Sequence, residues 1–110
     1  MKDKLLVLIK NKKLAAIVET KDGNFYEGIT LESSFGEEMV NAITLAISNA
    51  KVKEETITAV YFMSDEKDYK LPISVKEAIL ELVPRSALFN RIDKDGNMKI
   101  YRFEEILKEK

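Results

Sequence analysis

The spacing of apolar positions changes several times along the chain, and each change marks an element. Leu14 to Thr20 is apolar and partly β-branched, Lys21-Asp22-Gly23-Asn24 is a turn signal, and Phe25 to Leu31 resumes the apolar pattern, which predicts a β-hairpin. Met39, Val40, Ile43, Ala46, Ile47 and Ala50 then recur at helical spacing. They predict an amphipathic helix over Phe35 to Ala50, opened by a capping box of Ser34 and Glu37. Ile57 to Met63 is an unbroken apolar, β-branched and aromatic run, the pattern of a central strand buried on both faces. The polar run Ser64 to Lys70 reads as a loop. A second helix is expected from about Ser74 to Val83, with Ser74 and Glu77 as its capping box and Pro84 as its stop. Ala87 to Arg91 predicts a strand, Asp93-Lys94-Asp95-Gly96-Asn97 a turn, Met98 to Tyr101 a short strand, and Phe103 to Lys108 a closing helix. Met1 to Lys10 fits a short helix or a strand equally, through Leu5, Leu6, Leu8 and Ile9.

The resulting order, β-β-α-β-α-β-β-α, implies an α/β domain of three α/β/α layers around a mixed sheet of about five strands, mainly parallel after the first hairpin. No internal repeat or linker interrupts it, so residues 1–110 are expected to form a single domain.

Composition narrows the chemistry. The 110 residues are 45% hydrophobic, enough for a core, and 18 basic side chains nearly balance 19 acidic ones. With no long run of one sign, a nucleic-acid surface is not expected. No stretch approaches the roughly 20 apolar residues of a membrane helix, and no cleavage site follows the apolar residues of Met1 to Lys10, so a cytoplasmic protein without a membrane partner is expected. The chain contains no cysteine and no histidine. That removes disulfides, thiolate nucleophiles, the usual zinc ligands and the usual general base near neutral pH, so no metal and no cofactor is expected.

Several local patterns, taken in order, give the chain its one family likeness. Thr20-Lys21-Asp22-Gly23 followed by Phe25, Gly28 and Glu32 resembles the strand, turn and substrate segment of the cytidine deaminases, T-x-D-G and then G-x-N-V-E. Asn41-Ala42-Ile43-Thr44-Leu45-Ala46-Ile47 stands where that family carries Cys-Ala-Glu or His-Ala-Glu. Ser64-Asp65 with Pro72 resembles its Ser-Asp and Pro-Cys-Gly-x-Cys, and Tyr101 to Leu107 its closing helix. The resemblance spans about Leu14 to Leu107 and implies a cytidine deaminase-like fold. It also implies which positions would hold zinc and move protons: Asn41 for the first ligand, Ile43 for the catalytic glutamate, and Ile73 and Lys76 for the two later cysteines. None of the four is suited to its role. Glu32 is retained where the family binds the ribose hydroxyls, with Thr30 in place of its asparagine, which leaves these two as the possible nucleoside-binding residues. The family's first helix and the aromatic residue after it have no counterpart in this reading, since Lys12 stands near that position.

The resemblance therefore implies a metal-free, non-catalytic relative that acts by self-assembly, as a dimer or tetramer, or by binding a ligand. A nucleoside- or nucleotide-sensing subunit and an altered nucleoside hydrolase using Glu32 and a water are the alternatives. The two capping boxes would hold the helix starts without metal, and Ile43 and Ile73 would fill the emptied site, worth roughly 1.5 to 3 kcal/mol each if fully buried.

Other features have blander explanations. Asp93-Lys94-Asp95-Gly96-Asn97 with Glu104 resembles part of a calcium loop, yet Met98 stands where that loop needs glycine, and a β-turn accounts for the run. Lys76 is expected at the surface, a phosphate near the helix start being the sharper alternative. Glu54-Glu55 and Lys108-Glu109-Lys110 read as solvated charge, and Tyr61-Phe62-Met63 as strand core and subunit contact.

Overall fold

From Leu14 to Val18 every residue of the first strand is buried, because helices cover both faces of the sheet it belongs to. The computed structural model describes residues 1–10 and 12–109. Its elements are α1 (Lys2–Ile9), β1 (Leu14–Thr20), β2 (Phe25–Ile29), β3 (Leu31–Glu32), β4 (Glu38–Val40), α2 (Ala42–Val52), β5 (Ile57–Ser64), α3 (Ile73–Leu82), β6 (Leu88–Ile92), β7 (Met98–Tyr101) and α4 (Phe103–Lys108). Five strands form one sheet in the order β2-β1-β5-β6-β7, and β3 pairs with β4 in a separate ribbon.

Side-chain alternation distributes the core between the two faces. Leu14, Ala16 and Val18 of β1, Val60 and Phe62 of β5 and Phe89 of β6 point to one face, where α2, α3 and α4 add Ile43, Ile47, Val75, Ile79 and Ile106. Ala15, Ile17, Met63 and Ile92 point to the other, where α1 contributes Leu5 and Ile9. The ambiguous first ten residues thus contain a helix, which corrects the expectation that no helix precedes the first hairpin, and its Leu5 and Ile9 cover the second face of the sheet. The sheet is mixed, with a single parallel pair, β5 with β6, joined by the α3 crossover. The pairs β1–β2, β1–β5 and β6–β7 are antiparallel. The expectation of a mainly parallel sheet is corrected, because β5 returns antiparallel to β1 even though α2 lies between them.

Both expected capping boxes are absent, each for a local reason. Gly36 has φ 81 and Ser33 Oγ accepts from the backbone N–H of Phe35 and Glu37, so residues 33–37 form a turn that closes the β3–β4 ribbon. The helix predicted from Phe35 therefore begins seven residues later, at Ala42. In α3, Pro72 occupies the N-cap at φ -60, its ring already set for helix entry, which places Ser74 inside the first turn with no capping bond.

At its other end α2 closes in a Schellman motif. Glu54 takes φ 58, its N–H reaches Lys51 O at 2.9 Å, and Glu55 N–H reaches Ala50 O at 3.3 Å. This aims Glu55 at the first hairpin. Its carboxylate accepts from Thr20 Oγ1 at 2.7 Å, from Asn24 Nδ2 at 2.8 Å, and from the Tyr26 hydroxyl. Glu55 is consequently not the solvated charge read from sequence. The hydrogen bonds from Tyr26, Thr20 and Asn24 hold its carboxyl below the ordinary value of 4.5, and the same contact pushes Tyr26 up to about 12. A carboxyl lowered in the folded state contributes stability above its unfolded value and loses it as pH falls through the folded one. Urea unfolding as a function of pH is therefore expected to show a loss of stability below about pH 4.5 that Glu55→Gln makes shallower, and an equal acid slope in both proteins would show that Glu55 carries none of it.

Candidate functional site at the start of the second helix

An α-helix begins with N–H groups that have no partner of their own, and α2 finds one for each of its first three residues. Thr30 Oγ1 accepts from Ala42 N at 3.0 Å. Asn41 Oδ1 accepts from Ile43 N at 2.8 Å and from Thr44 N at 3.4 Å. Asn41 has extended backbone angles, φ -92 and ψ 134, the geometry of an N-cap. Its amide nitrogen donates outward to the Tyr69 hydroxyl at 3.1 Å and to Glu38 Oε1 at 3.3 Å. Both Thr30 and Asn41 are buried, so these bonds are shielded from water and each lost partner would leave a costly unsatisfied group.

Below this cap lies Ile43, 1% exposed in the main core cluster. Gly28 of β2 makes the arrangement possible. An added Cβ there would stand 2.2 Å from Ala42 O and 2.8 Å from Ala46 N, so only glycine lets β2 approach the backbone of α2 this closely. The close approach brings Thr30, two residues further on, to the end of the helix.

The positions implied by the resemblance fall in separate surroundings. Asn41 and Thr30 meet through the helix start, and Ile43 sits directly beneath. Ile73, expected to fill the same space, is instead 76% exposed at the first turn of α3. Helix entry at Pro72 turns it outward. Lys76 is half-buried, and its Nζ donates to the Glu109 carbonyl, tying α3 to the end of α4 rather than facing a ligand. Glu32 pairs with Lys13 Nζ at 3.2 Å, and that hydrogen bond raises the Lys13 pKa, with Glu66 more distant at 3.9 Å. The α2 and α3 starts are neighbours, since Asn41, Thr44 and Ser74 line one shallow concavity with Met39.

A zinc ion of the kind the resemblance implies does not fit these side chains. Asn41 has its oxygen committed to two backbone N–H groups and its nitrogen to two acceptors, Ile43 and Ile73 offer no donor atom, and Lys76 brings a positive charge. Among the described residues no cluster of three acidic, histidine or cysteine side chains could hold a metal ion. The Asp93–Asn97 segment is a hairpin turn, with Asp93 Oδ1 accepting from Asp95 N and Asn97 N.

Two contributors escaped the sequence reading. Tyr69, the one aromatic residue in the polar Ser64–Lys70 run, reaches back to Asn41, and burial pushes its hydroxyl pKa up. Glu109, read as solvated charge, instead binds Arg91 at 2.7 Å. Lys110, read with it, lies outside the described residues. Arg91 also donates to the Tyr69 carbonyl at 2.8 Å, so Tyr69 is held between the α2 cap and the Arg91–Glu109 pair. No helix among the described residues is long and apolar enough to cross a membrane.

No protein-family model matches the sequence, and no curated protein matches it. Solved structures do. Cytidine deaminase from Burkholderia pseudomallei superposes with a TM-score of 0.73 at 18% identity, over 87% of this chain and 79% of that one. The enzyme from Mycobacterium leprae gives 0.69 at 15% identity, over 98% and 94%, and that from Bacillus anthracis 0.64 at 13%, over 96% and 85%. Likeness at such low identity shows a shared fold, and the chain has the cytidine deaminase-like fold.

Proposed function

We propose that this chain, built on the cytidine deaminase-like fold, is a metal-free and non-catalytic protein that works by assembling with further copies of itself. The observation that carries the non-catalytic reading is the start of α2. There the residue in the ligand position caps the helix, the residue in the glutamate position is core, and Thr30 is spent on the Ala42 N–H. A nucleoside would have to compete with those bonds and with the Lys13–Glu32 pair.

Assembly is supported by what surrounds the cap. Phe35 is 91% exposed and Met39 67%, with Leu31 and Ile73 also exposed. Leu31, Phe35 and Met39 belong to the β3–β4 ribbon or its turn, outside the main sheet. A two-stranded ribbon is marginal alone in water, and a cluster of large apolar side chains on it gains from being covered. A second copy is the occupant the resemblance implies, and an isologous contact would cover both ribbons at once.

Sedimentation velocity across a range of protein concentrations tests this reading. The wild-type chain is expected to form dimers or larger closed assemblies, and the pair Phe35→Asp with Met39→Asp to sediment as a monomer with unchanged far-ultraviolet circular dichroism. A wild-type monomer at every concentration, or an assembly indifferent to the two substitutions, would overturn it.

A further inference from the structure

Strands β6 and β7 place two cations directly opposite one another. Their antiparallel register pairs Arg91 with Lys99, as it pairs Phe89 with Tyr101, so both side chains lie on the α4 face of the sheet. Like charges directly opposite across a strand pair repel and lower stability. The register is fixed from both directions by buried Phe89 and Tyr101, so neither cation can slip to the other face. Around this pair opens a concavity of about 610 Å³, the size of a small-ligand site, into which Lys67 and Lys70 project from the β5–α3 loop and Lys108 from α4.

Arg91 is held in place rather than free to swing away. It donates to the Tyr69 carbonyl and to Glu109, and its guanidinium stacks over the Phe62 ring at 5.3 Å, its parallel-strand neighbour. The acids of the same basin are largely committed. Glu109 is paired with Arg91, and Glu105 accepts from the backbone N–H of Arg102 at the start of α4, leaving Asp68. Five cations and three acids line the basin, and with Arg91 and Glu109 paired to each other four lysines face two acids, a local excess of positive charge in a chain of net charge -1.

We propose that this basin binds a compact anion carrying two or more phosphate groups, a pyrophosphate moiety free or attached to a nucleoside. The Arg91–Lys99 pair takes one phosphate and the lysines of the loop and α4 the other. Two adjoining phosphates supply negative charge on both sides of the strand pair and relieve its repulsion, whereas a neutral nucleoside supplies none. The site does not depend on the assembly reading, because its residues belong to β6, β7, α4 and the β5–α3 loop.

Isothermal titration of the full chain with pyrophosphate, orthophosphate, cytidine and cytidine triphosphate at low ionic strength tests the proposal. Pyrophosphate and the triphosphate are expected to bind, orthophosphate more weakly, and cytidine not at all; tighter binding of the triphosphate than of pyrophosphate assigns the anion to a nucleotide. Lys99→Gln is expected to weaken pyrophosphate binding about tenfold or more. Lys21→Gln, in the hairpin turn at the far edge of the sheet, is the charge control and leaves affinity unchanged. Absence of heat with pyrophosphate, equal losses in the two variants, or cytidine binding as tightly as its triphosphate would overturn the proposal.

Discussion

Gly28→Ala is expected to cost about 3 kcal/mol or more of folding stability, the upper end of what overpacking takes from a core. The new Cβ would fall 2.2 Å from the carbonyl oxygen and 3.1 Å from the carbonyl carbon of Ala42, and 2.8 Å from Ala46 N. All three are backbone atoms in the first turns of α2, so no side-chain rotation relieves the clash, and the helix itself has to move away from β2. That motion pulls Ala42 N from Thr30 Oγ1 and opens the space above Ile43. A substitution in a strand thereby damages the cap of a helix, and urea unfolding reads the combined loss. A variant within about 1 kcal/mol of wild type would mean that the strand and helix are not in backbone contact.

Ile43→Glu is the second large effect, and it restores at this position the residue type that the resemblance assigns to catalysis. Ile43 is 1% exposed within the apolar cluster of the main core. A glutamate there must lose its charge or open the core. Holding it neutral at pH 7 costs about 3 to 4 kcal/mol from the ordinary glutamate pKa alone. Removing the isoleucine's packing adds a further penalty, for which Ile43→Ala, expected at about 2 to 5 kcal/mol, is the measure. Ile43→Met, close in volume, should cost less than about 1.5 kcal/mol and separates burial of charge from loss of shape. The glutamate variant is expected to gain stability as pH falls from its raised folded pKa toward the ordinary glutamate value, because the proton that keeps the buried carboxyl neutral then costs less to bind. A glutamate variant as stable as wild type at neutral pH would place this side chain in water.

Much of this architecture was legible because period and punctuation agree along most of the chain. The β1–β2 hairpin, β5, the β6–β7 hairpin and α4 follow directly from alternation and turn residues, and their order carried the fold. The helix starts were misplaced because Ser34 with Glu37 is a good local signal that loses to a better one. Asn41 and Thr30, the latter twelve residues before Ala42, together satisfy three N–H groups, and a window along the sequence cannot show a cap supplied from the link between β2 and β3. Ile73 illustrates the opposite error. Its apolar type suggested a buried filler, yet Pro72 sets the helix phase and turns it to the surface. Glu55 and Glu109 looked like surface charge because their partners, Tyr26 and Arg91, lie far away in sequence. The absence of cysteine and histidine was legible from the start; the structure adds that Asn41, Ile43 and Thr30 each have a folding task.

Metal analysis shows whether the start of α2 is a cap above a closed core, as Asn41, Thr30 and Ile43 arrange it, or a place for zinc. The purified chain is dialysed against micromolar zinc, freed of loosely bound ion, and its zinc per chain measured by mass spectrometry. A small fraction of one ion per chain is expected, unchanged in Asn41→Ala. One zinc per chain, lost in Asn41→Ala, would contradict it.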